Sequence, residues 1–209
     1  MHVRSTGFLS TLLLAALVAC RTAAPASSAS IVRPGAPGDA SRVEAVTPAA
    51  APKHTDADVK FMQGMIGHHA QALEMTALLR SRSERQDMKM LALRIDVSQQ
   101  DEIKMMQQWL SERGLEVPGP HAHHTGMLMP GMLTPGEMAT LAAAKGAEFD
   151  KLFLAAMIKH HEGALVMVKE LFDSPGAGQR AEIFAFASDV EADQSAEISR
   201  MRAMLATLK

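Results

Sequence analysis

The most regular feature of the chain is an apolar stripe with helical spacing that occurs twice. Residues 61–75 read FMQGMIGHHAQALEM, and residues 153–167 read FLAAMIKHHEGALVM. At about 100° per residue, each copy places apolar side chains and a histidine on one helical face. The stripe contains Phe61, Met65, His68, Ala72, Met75 and Leu79 in the first copy, and Phe153, Met157, His160, Ala164, Met167 and Leu171 in the second. The shared pattern indicates an internal duplication.

Start and stop signals divide the duplicated region into helices. Asp58 is placed to close a capping box at the first start, Ser83 with Gln86 signals a second start, and Thr134-Pro135-x-Glu137 a third. The predicted helices cover about residues 56–81, 83–113, 134–145, 148–172 and 179–208. Short loops make paired helices antiparallel. The sequence therefore predicts an all-α four-helix bundle built from two duplicated hairpins, with halves 56–114 and 134–208.

The second helix of each hairpin repeats a polar pattern within its apolar stripe. Gln99-x-x-Glu102-Ile103 matches Gln194-x-x-Glu197-Ile198. These amides and carboxylates are predicted to face the histidine-bearing helices, where they can orient an imidazole or bind a metal themselves. Purely structural hydrogen bonding is the alternative.

The predicted metal ligands are the histidines and the methionine that precedes them in each copy. His69 and His161 border the same stripes as their neighbours, and burial of an unpaired imidazole costs a few kcal/mol. The ligand candidates are Met65, His68, His69, Met157, His160 and His161. Auxiliary candidates are Asp58, Met75, Gln99, Glu102, Asp150, Met167, Gln194 and Glu197. The alternative is a set of core histidines with structural hydrogen bonds.

Residues 115–133 form a predicted linker that is rich in histidine and methionine. Its six candidate ligands are His121, His123, His124, Met127, Met129 and Met132. This composition resembles a metal-recruiting tract. A solvated linker with incidental His and Met is the alternative.

The first 55 residues are predicted to serve export and attachment. Residues 1–20 have a basic start and an apolar segment too short to span a bilayer, as in a signal peptide. Leu17-Val18-Ala19-Cys20 resembles a bacterial lipobox, which predicts lipidation of Cys20; an ordinary cleavage site is the alternative. Residues 21–55, rich in Ala, Pro and Ser, are predicted to be a disordered tether.

Composition narrows the chemistry of the duplicated domain. The chain has 16 methionines, no tyrosine, one tryptophan and a net charge of −2, which argues against nucleic acid as a partner. Cys20 is its only cysteine, which excludes an intrachain disulfide and a thiolate metal site. Thioether with imidazole suits copper best, as Cu(I), Cu(II) or both. Zinc and a di-iron site are disfavoured, since no Cys cluster, His-x-x-x-His pair or Glu-x-x-His motif is present.

Taken together, the Met-Ile-x-His-His blocks, the Gln-x-x-Glu-Ile blocks and the connector Met-Pro-Gly-Met-Leu-Thr-Pro-x-Glu-Met resemble domain of unknown function family 305. The resemblance covers residues 56–208. The family includes CopM-like periplasmic copper-binding proteins, so the resemblance implies a ferritin-like bundle and a role in copper binding or tolerance.

These observations predict a non-catalytic, exported copper-binding lipoprotein on a bacterial membrane, in the periplasm or at the cell surface. Its expected partners are a metal ion and, through the lipid anchor, the membrane, with a copper-handling protein as a further candidate. Two alternatives stay open: a metal-dependent oxidase or hydrolase, and a structural or partner-binding bundle with buried histidines.

Overall fold

The computed structural model describes residues 30–34, 36, 38–45, 53–119 and 128–208. The chain separates into two compact units, residues 1–50 and 51–209. Within the described residues, no helix is both long enough and apolar enough to cross a bilayer.

The first unit contains a short antiparallel hairpin, which differs from the unstructured tether predicted for residues 21–55. Strand β1 (Ser30–Arg33) pairs with β2 (Arg42–Ala45), and Val32 lies opposite Val43. Gly38, at φ +99°, supplies the left-handed backbone of the turn. The β-branched pair favours an extended chain, a signal hidden by the surrounding Ala and Pro.

The second unit is the predicted all-α bundle. Its helices are α1 (Asp56–Arg82), α2 (Gln86–Ser111), α3 (Pro135–Ala143), α4 (Gly146–Asp173) and α5 (Ala181–Thr207). Helices α1 and α2 form one hairpin, and α4 and α5 form the other. The two hairpins pack together through contacts between α1 and α4. The short helix α3 lies against α4.

Side-chain capping explains where α1 and α3 begin. The predicted capping boxes of α1 (Thr55 with Asp58) and α3 (Thr134 with Glu137) are both present, and Pro135 occupies the first turn of α3. The start predicted from Ser83 is displaced: Ser83 ends α1 in an extended conformation, and α2 begins at Gln86 without a side-chain cap.

The core consists of two apolar clusters. The first cluster includes Phe61, Met65, Trp109, Met167 and Phe186. The second cluster includes Met75, Leu91, Phe149, Phe153 and Met157. The start of α1 shares a cluster with the end of α4, so these helices run antiparallel. On all four long helices, buried polar side chains lie between the stretches that enter the two clusters.

Candidate metal centre

A buried polar layer crosses the middle of the bundle. This histidine layer consists of His68, His69, His160 and His161, together with Gln99, Glu102, Gln194 and Glu197. All four imidazoles are fully buried. The duplicated sequence produces the layer because each hairpin contributes one His-His pair and one Gln-x-x-Glu segment at the same height.

The outer histidine of each pair binds a glutamate of its own hairpin. His69 Nε2 lies 2.5 Å from Glu102 Oε2, and His161 Nε2 lies 2.6 Å from Glu197 Oε2. Because a carboxylate accepts, each of these Nε2 atoms carries a proton and donates to its glutamate. Both Nδ1 atoms are buried and lack a hydrogen-bond partner among the described residues.

The inner histidines meet at the contact between α1 and α4. The ring centroids of His68 and His160 are 3.9 Å apart, and the ring planes make an angle of 38°. His68 Nε2 donates to the carbonyl oxygen of Pro130 at 3.0 Å. His68 Nδ1 and both ring nitrogens of His160 have no partner within the described parts of the chain. The two copies of the motif therefore converge here, but in different hydrogen-bonding states.

Burial keeps this inner pair neutral. It lowers the pKa of His68 to about 3, with His69 and His161 lowering it further and the Pro130 hydrogen bond opposing them. Burial also lowers the pKa of His160 well below its usual value, helped by His68, His161 and His69. Two neutral imidazoles with available lone pairs are the form that binds a metal.

The other predicted site residues occupy distinct places. Met65 and Met167 lie in the first apolar cluster, whereas Met75 and Met157 lie in the second. Gln99 and Gln194 are buried in the layer; both amide atoms of Gln99 and Oε1 of Gln194 lack a partner among the described residues. The methionines therefore flank the layer from opposite sides.

The two aspartates lie at the N-terminal ends of their helices, about 15 Å of helix axis from the histidines. Asp58 accepts from Thr55 N at 2.7 Å and, across the bundle, from Gly178 N at 2.8 Å. Asp150 is buried at the start of α4. The contacts of Asp58 are those of a structural cap.

Only part of the predicted linker lies among the described residues. His121, His123, His124 and Met127 lie outside the described residues, as does Cys20. Met129 is half-buried at the surface of the first apolar cluster, and Met132 is buried.

The connector, residues 129–138, supplies contacts that sequence reasoning missed. Besides the Pro130 carbonyl, the backbone of Leu133 is held by the Gln71 side chain, whose Nε2 donates to the carbonyl at 2.9 Å and whose Oε1 accepts from N–H at 2.8 Å. A Cβ built on Gly163 would lie 2.0 Å from Pro130 O, so only glycine permits this approach. The Pro-Gly pair and the glycine in the second repeat were the available signals.

The layer supplies imidazole donors, and the apolar clusters on either side contain methionines, but these residues do not form a ready cage for a metal. Among the described residues, no three His, Cys, Asp or Glu side chains are arranged to hold a metal ion. A groove of about 500 Å³ between α2 and α5 reaches the outer side of the layer at Ser98 and Glu197. The pairing of unpartnered nitrogens with flanking thioethers fits a soft ion that accepts few ligands, and it does not fit a four-coordinate zinc site.

The family described as Domain of unknown function (DUF305) matches residues 58–205. No curated protein matches the chain.

Several solved structures share the fold. A DUF305 protein from Streptomyces coelicolor is 31% identical, with a TM-score of 0.63 over 72% of this chain and 92% of its own. A DUF305 fragment from Deinococcus radiodurans is 32% identical, with a TM-score of 0.64 over 75% of this chain and 100% of its own. CopM in its Cu(II)-bound form is 29% identical, with a TM-score of 0.60 over 73% of this chain and 97% of its own. CopM structures also exist with Cu(I), with silver and without metal.

Proposed function

The chain belongs to the DUF305 family, and on that premise we propose that it binds copper without catalysing a reaction, through the histidine layer of its bundle. The proposed role is copper buffering, tolerance or delivery outside the cytoplasm. The inner pair His68 and His160 forms the centre of the site, with His69 and His161 beside it.

The unpartnered nitrogens of the buried imidazoles are the observation that carries this proposal. Each buried polar group without a partner costs about 1–3 kcal/mol. Three of the rings donate through Nε2–H, to Glu102, Glu197 or Pro130. In its neutral form such a ring has its lone pair on Nδ1. A bound metal would use lone pairs that the protein otherwise leaves unsatisfied.

The donor set favours Cu(I) over Cu(II) and zinc. Met65 and Met157, each one turn before its histidines, offer thioether sulfur, which selects soft ions. A harder ion would require a group of at least three His, Cys, Asp or Glu side chains. The described residues contain no such group. The related protein CopM has been solved with Cu(I) and with silver, and also with Cu(II).

The carboxylates would then fix imidazole orientation. Glu102 and Glu197 each hold a ring by its Nε2–H bond, and Ser98 Oγ donates to Glu102 Oε1 at 3.3 Å. Such outer partners raise the basicity of the imidazole and restrict its rotation. A copper ion here would act as cargo. Oxidation of Cu(I) by the loaded protein, measured against metal-free protein, tests the alternative of an oxidase.

A second candidate function is a structural polar layer without metal. The short His69–Glu102 and His161–Glu197 contacts favour it, because satisfied buried polar pairs can specify a single core arrangement. The unpartnered atoms of His160 oppose it.

Metal competition separates these functions. Residues 21–209 should bind Cu(I) and Ag(I) more tightly than Zn(II) when chelators compete. Replacement of His68 and His160 by alanine together should reduce the affinity by at least about 100-fold, or about 2.7 kcal/mol. His54→Ala, a histidine outside the layer, is the matched control, and circular dichroism must show that the helices persist. Equal zinc affinity, or full copper affinity in the double variant, contradicts the proposal.

Export and attachment form the second part of the proposal. The sequence Leu17-Val18-Ala19-Cys20 supports lipidation of Cys20, and stable anchoring needs more than one acyl chain. The wild-type protein should partition into detergent, and Cys20→Ser should abolish this partitioning. A soluble wild type with an unmodified N-terminus would refute the anchor.

A further inference from the structure

Two methionines lie close to the same glycine at the surface of α1. A Cβ built on Gly64 would lie 3.2 Å from Sδ of Met129 and 3.3 Å from the terminal methyl carbon of Met167. Met129 Sδ and Met167 Cε are therefore at most about 6.5 Å apart. A Cβ at position 64 would press against both side chains, because contacts of 3.2 and 3.3 Å are tighter than ordinary packing.

This methionine pair borders a solvent-open cavity of about 340 Å³. Its apolar wall includes Phe61 and Leu171, and Lys60 and Glu170 contribute polar groups. Met129 is half-buried and Met167 is 8% exposed. Thioethers at an open cavity can take an ion directly from solvent, unlike the fully buried imidazoles.

The pair is linked to the histidine layer in two ways. Gly64 lies one turn before His68, about 6 Å along α1. Met129 is followed directly by Pro130, whose carbonyl accepts the hydrogen bond from His68 Nε2. An ion held by the methionines would thus lie near the inner histidine that the connector holds.

The second repeat lacks this arrangement. Ala156 occupies the position of Gly64, and the cavity beside it is lined by α3 residues, Leu133 and Leu152, with no methionine. Met75, which matches Met167, is completely buried. The duplicated motif alone does not create the pair, because Met129 comes from the single connector.

We propose that Met129 and Met167 form an outer site for a soft monovalent cation, Cu(I) or Ag(I), separate from the histidine layer. Thioether sulfur selects such ions, and binding requires neither proton release nor electron transfer. The proposal extends the proposed function with a solvent-accessible site of lower affinity.

Silver titration of residues 21–209 with ¹³C-labelled methionine methyl groups tests the outer site. Ag(I) should shift the methyl signals of Met129 and Met167. Replacement of both by leucine should remove one bound Ag(I) equivalent. Met88→Leu, at a completely buried methionine of the second apolar cluster, is the matched control and should remove none. Unmoved methyl signals, or an unchanged Ag(I) count in the double variant, would overturn the proposal.

Gly64→Ala provides a second test that does not depend on the leucine variants folding. Alanine favours the helix but places a methyl group against both methionine side chains. It should weaken Ag(I) binding at the outer site about tenfold, while an unchanged affinity there contradicts the site. Loss of layer binding in the His68 and His160 variant with intact methionine shifts would support both sites. If the His68 and His160 variant keeps full affinity while the methyl signals of Met129 and Met167 still shift, only the proposed function of the histidine layer is refuted.

Discussion

The two hairpins agree closely at their outer histidines and differ at their inner ones. His69–Glu102 and His161–Glu197 are near copies, at 2.5 and 2.6 Å. By contrast, His68 donates to a backbone carbonyl, whereas both nitrogens of His160 lack a partner among the described residues. Duplication therefore repeats the contacts made within a hairpin, but it does not repeat contacts made to a segment that occurs once.

The connector is that segment, and it touches the two repeats at equivalent positions. Gln71 and Gly163 both lie three residues after the first histidine of their pair. Gln71 binds the backbone of Leu133 through its side chain, whereas Gly163 lets Pro130 and Gly131 pass against its backbone. The same position of the repeat thus binds the connector through hydrogen bonds in the first hairpin and lets the connector approach the helix backbone in the second.

Acid should affect the metal-free fold most strongly through the inner histidines. The pKa of His68 is about 3 in the fold, below the value of about 6.5 expected for the unfolded chain. Between these values the unfolded chain binds a proton that the fold does not. The free energy of unfolding should therefore fall, as pH decreases from 6.5 towards 3, by about 1.4 kcal/mol per pH unit for this residue. Above pH 6.5 this contribution is constant.

His160 sharpens the comparison, because burial also lowers its pKa well below the usual value, with the backbone of His68 opposing that effect. In urea denaturation between pH 7 and 4, the free energy of unfolding should fall less steeply with decreasing pH for His160→Ala, and for His68→Ala, than for wild type. His54→Ala serves as the control for the loss of a histidine outside the layer. Identical slopes in all four proteins would show that the inner histidines do not control acid stability.

Gly163→Ala should break the asymmetry by displacing the connector. Alanine normally favours a helix, but its Cβ would lie 2.0 Å from Pro130 O and 2.7 Å from Gly131 Cα. Overpacking of this kind costs about 1–3 kcal/mol, and the His68–Pro130 hydrogen bond should be lost with it. Chemical denaturation measures the cost.

Gly136→Ala is a suitable control for that substitution, since its Cβ would meet only Thr134 Oγ1 at 4.0 Å. Gln71→Ala should also destabilise by about 1–3 kcal/mol, because it leaves the Leu133 backbone groups without their partners. Wild-type stability in Gly163→Ala would mean that the connector does not pack as described.

Glu102→Gln and Glu197→Gln should have the smallest effects, and the two should be equal. Each removes a carboxylate from an equivalent imidazole and should lower Cu(I) affinity about tenfold, in the range found for outer partners of metal ligands. Competition titration of both variants checks the equality. A strong effect of one substitution alone would show that the two outer pairs are not equivalent.

The architecture could be predicted from sequence because its signals are local or periodic. The two His-His stripes, the Gln-x-x-Glu stripes and the capping box at Thr134 lead directly to the helices and to the polar layer. Family membership and the all-α fold are both confirmed. The identity of the metal ligands remains a prediction from sequence.

The asymmetry could not be predicted because it depends on backbone contacts between distant residues. Nothing in the His-His pattern distinguishes His68 from His160; the difference arises from the carbonyl of Pro130, 62 positions along the chain. The meeting of Met129 and Met167 likewise depends on where the connector crosses α1. The hairpin at Ser30–Arg33 and Arg42–Ala45 was missed because its short strands lie within an Ala- and Pro-rich segment.

The most direct test of the histidine layer is a side-chain nitrogen NMR spectrum of the ¹⁵N-histidine-labelled protein during silver titration. Nδ1 of His68 and one nitrogen of His160 should change shift together and show coupling to silver, while Nε2 of His69 and His161 should keep their protons. Silver coupling confined to His121, His123 and His124, with the four layer imidazoles unchanged, would contradict metal binding by the layer.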